Sequence, residues 1–263
     1  MILLIKQLER LLNLDEIFSS VYDNTSSGQT SWTLFTKIEY GIGLRRNKFF
    51  QKHPNALQII LYLDEVQMCN PLGSRSSTKN KVALVYFWLG NLEMKHRSSF
   101  HSIFLLSIFT SKQMSEFGLN LLLRQIIEII KKLEEGVEMD LQGKFVKVFG
   151  TLAVVVADNL GSHQIGGFKT GFARGFRKCR FCLATAEDIN SKYCQESFIL
   201  RNKEDHDMWC GLINSASIAG KKLHYSRVYG IHHKSILNDL KYFHEIEGLP
   251  PDAMHDILEG IMP

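Results

Sequence analysis

Two aspartates are the residues of this chain best suited to catalysis. Asp64 follows the apolar run 56–63, and Asp158 follows the apolar run 148–157. Carboxylates at the ends of neighbouring buried strands can hold pairs of divalent metal ions for phosphoryl transfer. Such carboxylates repel each other without cations, and Mg²⁺ prefers oxygen ligands, so the pattern predicts a magnesium site that acts on nucleic-acid strands. Each aspartate could instead be a turn residue or a helix cap, and Glu65 is an alternative carboxylate.

A Cys-x-x-Cys at Cys179 and Cys182 supplies half of a tetrahedral zinc site. A redox pair or two buried thiols are the alternatives. The odd count of five cysteines favours reduced thiols or a metal site over a disulfide framework. Spacing alone does not select the remaining ligands, for which the candidates are His206, His232, His233, His244, His255, Cys194 and Cys210.

Basic residues crowd around the first of these cysteines. Arg174, Arg177, Lys178 and Arg180 lie close after Asp158 in the sequence, and the net charge of the chain is +4. Because phosphates are bound by Lys and Arg, these four residues are candidate nucleic-acid contacts. The alternative is a solvated basic loop without a ligand.

The elements that must position these residues form an α/β pattern. Apolar residues recur at helical spacing over 2–22 and again over 119–134. Strands are predicted at 56–63, 82–89 and 102–109, the first two as an antiparallel pair. The run 148–157 is apolar at nearly every position, which is typical of a strand covered on both faces beside a parallel neighbour.

The second half of the chain has a weaker pattern. We predict a glycine-rich turn over 159–168 and an insertion with little regular structure over 183–230. His163, in the turn, is either a phosphate contact or a structural histidine. A short helix or strand is predicted over 236–243, and a helix begins after Pro250 and Pro251.

Composition restricts the class of protein. The chain has 263 residues, of which 45% are hydrophobic and 22% charged, as in soluble globular proteins of one or two domains. No apolar run is long enough to predict a membrane span, and the first residues do not have the pattern of a signal peptide.

Taken together, the motifs resemble those of CACTA (En-Spm) transposases, in their animal branch. The matching blocks extend over about residues 55–260, nearly the whole chain. They are residues 63–64 (LD) with 69–73 (CNPLG), 86–92 (YFWLGNL), 157–163 (ADNLGSH), 179–182 (CRFC) and 249–256 (LPPDAMHD).

This resemblance implies an α/β, RNase H-like fold with a mixed sheet, flanking helices and a zinc-bearing insertion. Its segments would be an N-terminal helical part at 1–50, the core at 51–172 and the insertion at 173–263. Asp64 and Asp158 would be two members of an Asp-Asp-Glu triad that binds Mg²⁺, while Cys179, Cys182 and His255 would bind structural Zn²⁺. The implied function is DNA cleavage and strand transfer in the nucleus, in a protein that can be a homo-oligomer and has no membrane contact.

The same resemblance implies that the third carboxylate is missing. The glutamate of the family lies well downstream of its Met-His element, and this chain ends eight residues after His255. We therefore expect a C-terminally truncated transposase fragment with little or no activity. One alternative is a non-catalytic, zinc-stabilised module that binds nucleic acid or protein, and another is a gene product without a retained role.

Overall fold

The computed structural model describes residues 3–22, 45–67, 81–92, 96, 100–171, 176–252 and 255. Arg174, the turn predicted at 69–74 and most of the helix predicted after Pro251 lie outside these residues. The chain divides into two compact units. Unit 1 comprises Met1–Val156 and Leu240–Phe243, and unit 2 comprises Ala157–Asp239 and His244–Pro263. The segment boundaries predicted at residues 50 and 172 stay predictions.

Unit 1 contains α-helices on a mixed sheet, as the sequence predicted for the fold class. Its elements are α1 (Leu3–Leu12), α2 (Asp15–Tyr22), α3 (Lys48–Lys52), β1 (Leu57–Gln67), β2 (Lys81–Leu89), β3 (Phe104–Thr110), α4 (Ser111–Glu135), β4 (Val137–Leu141), β5 (Lys144–Val148) and β6 (Gly150–Ala157).

The main sheet has four strands in the order β3-β2-β1-β6. β1 pairs with β2 and β2 with β3 in antiparallel register. β1 and β6 begin side by side, since the Leu57 N–H donates to the Phe149 oxygen over 2.8 Å. Two neighbouring strands that begin at the same edge of a sheet run in the same direction. The parallel neighbour predicted for the run 148–157 is therefore β1.

Strand β1 continues beyond the position where the sequence predicted its end. Asp64 lies within the strand, opposite Leu84, and the ladder extends as far as Gln67 opposite Lys81. The apolar run ends at Leu63 because burial decreases there, whereas the pairing of backbone groups continues. Backbone hydrogen bonds in a ladder do not depend on whether a side chain is apolar.

One face of the sheet forms the core of unit 1. Leu57, Ile59, Leu61 and Leu63 of β1 are at most 2% exposed, and the alternate residues of β2 are buried as well. Helix α4 supplies the other layer with an apolar stripe from Leu119 to Leu133, as predicted from its spacing. It begins earlier than predicted, at a capping box formed by Thr110 and Gln113, and is kinked at Gly118.

A hairpin of β4 and β5 was not predicted. Its two-residue turn, Gln142 and Gly143, has positive φ at both positions, which is the geometry of a tight hairpin. The side chains of Glu9 and Asn13 in the α1 region bind the backbone of Asp140 at 2.9 and 2.8 Å. Both strands have only five residues, and charged residues alternate with apolar ones in them. Such short, polar segments are difficult to distinguish from a loop in the sequence.

Unit 2 is mainly helical, and the prediction of little regular structure over 183–230 is wrong. Helix α7 buries His206, Trp209, Cys210 and Ile213, a helical stripe that includes two polar residue types. Helix α8 buries only Ser226 and has no apolar stripe to detect. The α-helices of this unit are α5 (Asn159–Ile165), α6 (Ala186–Ser191), α7 (Lys203–Ser215), α8 (Ala219–Tyr229) and α9 (Glu245–Gly248).

Short 3₁₀ segments complete the regular structure, at Phe100–Ser102, Gln195–Ser197 and Ile236–Asp239. Within the described part of the chain, no helix has both the length and the apolar character needed to cross a membrane.

Candidate functional site

Asp64 lies on the more open face of the main sheet. It is half-buried and two residues from Tyr62, so both side chains project from the same face. Tyr62 stands opposite Tyr86, with the ring centres 6.4 Å apart, and lies 6.4 Å from the ring of Trp88. The carboxylate therefore sits beside a row of half-buried aromatic rings, opposite the face that forms the core.

Asp158 follows the last residue of β6 and caps helix α5. Its Oδ1 accepts the N–H of Gly161 at 2.5 Å. The helix-cap alternative is thus confirmed for Asp158, and the predicted glycine-rich turn is largely a helix. Because a carboxylate has about four acceptor positions, one capping bond leaves room for a metal ligand role.

The cysteines lie on a loop held by short antiparallel bonds. Cys182 bridges Leu200, and the N–H of Arg201 donates to the Phe181 oxygen over 2.9 Å. The Phe181 N–H donates to Cys179 Sγ at 3.3 Å. Burial, together with the neighbouring Cys179, raises the pKa of Cys182 to about 11. A thiol in this environment is a poor nucleophile, which does not favour the redox-pair alternative.

His255 is oriented by an acidic side chain. Its Nδ1 lies 2.5 Å from Asp252 Oδ2, and its backbone N–H donates to Asp252 Oδ1 at 3.4 Å. Histidines that bind metals usually make such a bond with one ring nitrogen, which directs the other nitrogen at the ion. The geometry around His255 therefore suits the ligand role implied by the family resemblance.

Arg180 is enclosed by protein in this conformation, and its assignment as a nucleic-acid contact stays a prediction. It is 4% exposed, and its guanidinium donates to Asn159 Oδ1 at 2.6 Å and to the Pro250 oxygen at 2.9 Å. Two protein oxygens inside the unit thus hold the guanidinium. These bonds also join the Cys-x-x-Cys loop to helix α5 and to the segment that leads to His255.

The other basic candidates are more accessible. Arg177 and Lys178 are half-buried, and Arg177 donates from Nη1 to the Leu183 oxygen. The ring of Phe176 is 45% exposed and lies 4.9 Å from the Arg177 guanidinium. An exposed aromatic ring beside a cation is compatible with nucleic-acid contact, and that assignment stays a prediction for these two residues.

His163 has the environment of a structural histidine. It is 4% exposed, and its Nδ1 lies 2.9 Å from the Lys169 oxygen. Burial lowers the pKa of His163 to about 4, and the charges of Arg180 and Arg201 also lower it. The imidazole is therefore neutral at physiological pH and carries no charge for a phosphate.

Two further buried groups were not recognised as groups from the sequence, although His206 and Cys210 were among the candidate zinc ligands. His206 and Glu245 are at most 1% exposed, and His206 Nε2 lies 2.7 Å from Glu245 Oε1. Cys210 is one turn along α7 from His206, and burial raises its pKa to about 12. The spacing of four residues between His206 and Cys210 was the available signal, since it places both on one helix face.

The second unassigned group is Arg201, which is 6% exposed. Burial lowers the pKa of Arg201 to about 10, while negative charge at Cys179 and Cys182 opposes this decrease. No spacing rule connects Arg201 with the cysteines, because the bridge that joins them forms only in the folded chain.

The predicted ligands do not form a complete metal centre in this conformation. Among the residues that the structure describes, no three His, Cys, Asp or Glu side chains are grouped so that they could hold a metal ion. Cys179, Cys182 and His255, all of which the structure describes, are therefore not grouped as three ligands of one ion. In comparisons with known proteins, no family model and no curated protein matches the chain.

Proposed function

We propose that this chain has a transposase-like core that acts on DNA with divalent metal ions, for which Asp64 and Asp158 are the candidate ligands. The observation that carries the proposal is that β1, which contains Asp64, and β6, which leads directly to Asp158, are neighbouring strands that begin together. A mixed sheet with three antiparallel strands and a fourth parallel to the first is compatible with an RNase H-like core. The compartment proposed with this function is the nucleus, on the family resemblance alone.

The proposal is supported by the types and surroundings of these two residues. Asp64 lies half-buried on the open sheet face, and the capping bond of Asp158 uses one of several acceptor positions. Both are oxygen donors, as Mg²⁺ and Mn²⁺ prefer. When bound, such ions activate the attacking oxygen and stabilise the leaving oxygen of a phosphodiester. The row formed by Tyr62, Tyr86 and Trp88 would contact sugar or base surfaces beside the carboxylate.

Manganese binding tests this proposal without requiring catalytic turnover. We expect saturable Mn²⁺ binding by the intact chain, measured as loss of the electron paramagnetic resonance signal of free Mn²⁺. Asp64→Asn and Asp158→Asn should each weaken it about tenfold or more, because each removes a charged ligand. Asp158→Asn is informative because an amide oxygen can still cap α5.

Asp140→Asn provides the matched control, since Asp140 is an exposed aspartate on the β4–β5 hairpin. This control should bind Mn²⁺ as the unaltered chain does. Equal Mn²⁺ affinity of Asp64→Asn and the unaltered chain would contradict the proposal, as would a lack of saturable binding.

A second candidate function is a zinc-stabilised module that binds nucleic acid. It is favoured by the Cys-x-x-Cys loop, in which a backbone N–H already donates to Cys179 Sγ, and by the Asp252–His255 pair. We expect purified protein to contain about one Zn²⁺ per chain, which Cys179→Ser removes and Cys194→Ser retains. Cys194, which was a candidate ligand by residue type alone, is the control because its thiol is exposed. Unchanged zinc in Cys179→Ser would exclude Cys179 as a ligand.

A further inference from the structure

Arg201 lies against the Cys-x-x-Cys loop inside unit 2. Its Nε donates to the Cys179 oxygen at 3.2 Å, and its backbone N–H donates to the Phe181 oxygen at 2.9 Å. The guanidinium carbon lies 5.5 Å from the ring centre of Phe168 and 5.9 Å from that of Trp209. The side chain is therefore fixed by the backbone of the loop and by two aromatic rings.

The charge of Arg201 is not satisfied by these contacts. Both terminal nitrogens, Nη1 and Nη2, are buried and have no hydrogen-bond partner in the part of the chain that the structure describes. Arg201 is 6% exposed, so bulk water has little access to these nitrogens. A buried cation without a counter-charge is strongly unfavourable, which indicates that an anion forms next to it in the functional state.

The chemistry of the surroundings identifies that anion. The residues that Arg201 holds by its Nε and backbone N–H are Cys179 and Phe181 of the loop, and its neighbour Leu200 bridges Cys182. A thiol is the group in this loop that becomes negative, and it does so when its sulfur binds a metal ion and its proton passes to solvent.

We propose that Arg201 is a positioning residue that supplies the counter-charge for a Zn²⁺-binding thiolate pair at Cys179 and Cys182. The inference rests on the zinc site proposed above and adds the residue that stabilises its ligands. Binding forms two sulfur–zinc bonds and releases two protons, with no change of oxidation state. Arg201 does not bind the ion itself, because a guanidinium has no free electron pair at physiological pH.

Cobalt titration of the intact chain tests the role of Arg201. Co²⁺ bound by thiolates gives sulfur-to-metal charge-transfer absorption, which a purely structural role of Arg201 would leave unchanged. We expect Arg201→Met to weaken Co²⁺ and Zn²⁺ binding by about 10- to 100-fold, the usual effect of losing a residue that supports metal ligands. Arg201→Lys should recover much of the affinity because it keeps the charge.

The matched control is Arg227→Met, which removes an exposed arginine of the same unit. It should bind Co²⁺ with the affinity of the unaltered chain. Equal affinity of Arg201→Met and the unaltered chain would overturn the role of Arg201 while the zinc site stands. Absence of thiolate absorption in the unaltered chain would instead overturn the zinc site and this inference together.

A second measurement covers the case in which Arg201→Met unfolds. In a Cys179→Ser, Cys182→Ser chain no thiolate forms, so Arg201 remains an unpaired buried cation. Arg201→Met should then raise the melting temperature of the serine chain, whereas it lowers that of the zinc-loaded chain with both cysteines. A decrease of the same size in both backgrounds would overturn the proposal, because the effect of Arg201 would not depend on the thiols.

Discussion

Arg180 donates a hydrogen bond from Nη2 to the backbone oxygen of Pro250 over 2.9 Å. This bond joins the middle of the Cys-x-x-Cys loop to a segment 70 residues further along the chain, in which Asp252 and His255 follow. The other arm of the guanidinium reaches Asn159, the residue after Asp158. One buried arginine thus connects the loop, the start of helix α5 and the segment of the candidate zinc histidine.

Replacing Arg180 should therefore destabilise unit 2. We expect Arg180→Met to lower the free energy of unfolding by about 2–4 kcal/mol, because two charge-assisted hydrogen bonds are lost and their buried acceptors remain without the partner. Urea denaturation followed by circular dichroism measures this difference. Lys178→Met, two residues earlier and only half-buried, is the control and should change stability by less than about 1 kcal/mol. If Arg180→Met unfolds at the same urea concentration as the unaltered chain, Arg180 does not stabilise unit 2 by linking its segments.

The cap and metal roles of Asp158 can be separated by two substitutions. Asp158→Ala should cost about 1 kcal/mol of stability, since the Gly161 N–H loses its acceptor at the start of α5. Asp158→Asn should stay close to the unaltered chain, because an asparagine oxygen can accept the same bond. Thermal denaturation without added metal compares the three chains. Equal losses for both variants would indicate that charge, rather than capping, carries the stability effect.

Asp252 should affect zinc affinity through His255. Asp252→Asn keeps an acceptor for the imidazole but removes the negative charge 2.5 Å from its Nδ1. We expect about tenfold weaker Zn²⁺ binding, measured by competition with a chromophoric chelator. Asp239→Asn, a change at an exposed aspartate of the same unit, should leave the affinity unchanged. If both variants bind zinc equally well, Asp252 does not orient a ligand.

His163 should make unit 2 sensitive to acid. Its pKa is about 4 in the folded chain and 6.5 as a free group, so the unfolded chain takes up a proton first as the pH falls. The stability contributed by the neutral imidazole is therefore present above pH 6.5 and is lost between about pH 6.5 and 4, by up to about 3 kcal/mol.

Urea midpoints across this pH range measure the effect as the difference between the unaltered chain and His163→Gln. The variant should show a smaller decrease in stability toward acid, because its side chain does not titrate. Parallel pH profiles of the two chains would contradict the prediction. The comparison is needed because burial also lowers the pKa of His232 and His244.

The elements with strong periodicity were predictable from the sequence. The antiparallel pair around Asp64, the helix with a stripe from Leu119 to Leu133 and the buried strand before Asp158 are all present in the structure. Each buries a continuous apolar face, and the hydrophobic effect imposes the matching period on the sequence. The helices of unit 2 were missed because α7 buries His206 and Cys210, and α8 has almost no buried face.

The sequence by itself determined which residues have the chemistry to act: two aspartates after apolar runs, a Cys-x-x-Cys and a histidine after a proline pair. Only the tertiary structure decided that β6 lies beside β1, that Arg180 is enclosed by protein oxygens and that Arg201 stands against the cysteine loop. The physical reason is that the residues in each of these contacts are far apart along the chain. Residue types and short-range spacing specify local structure and ligand chemistry, whereas contacts between distant segments depend on packing that no local pattern encodes.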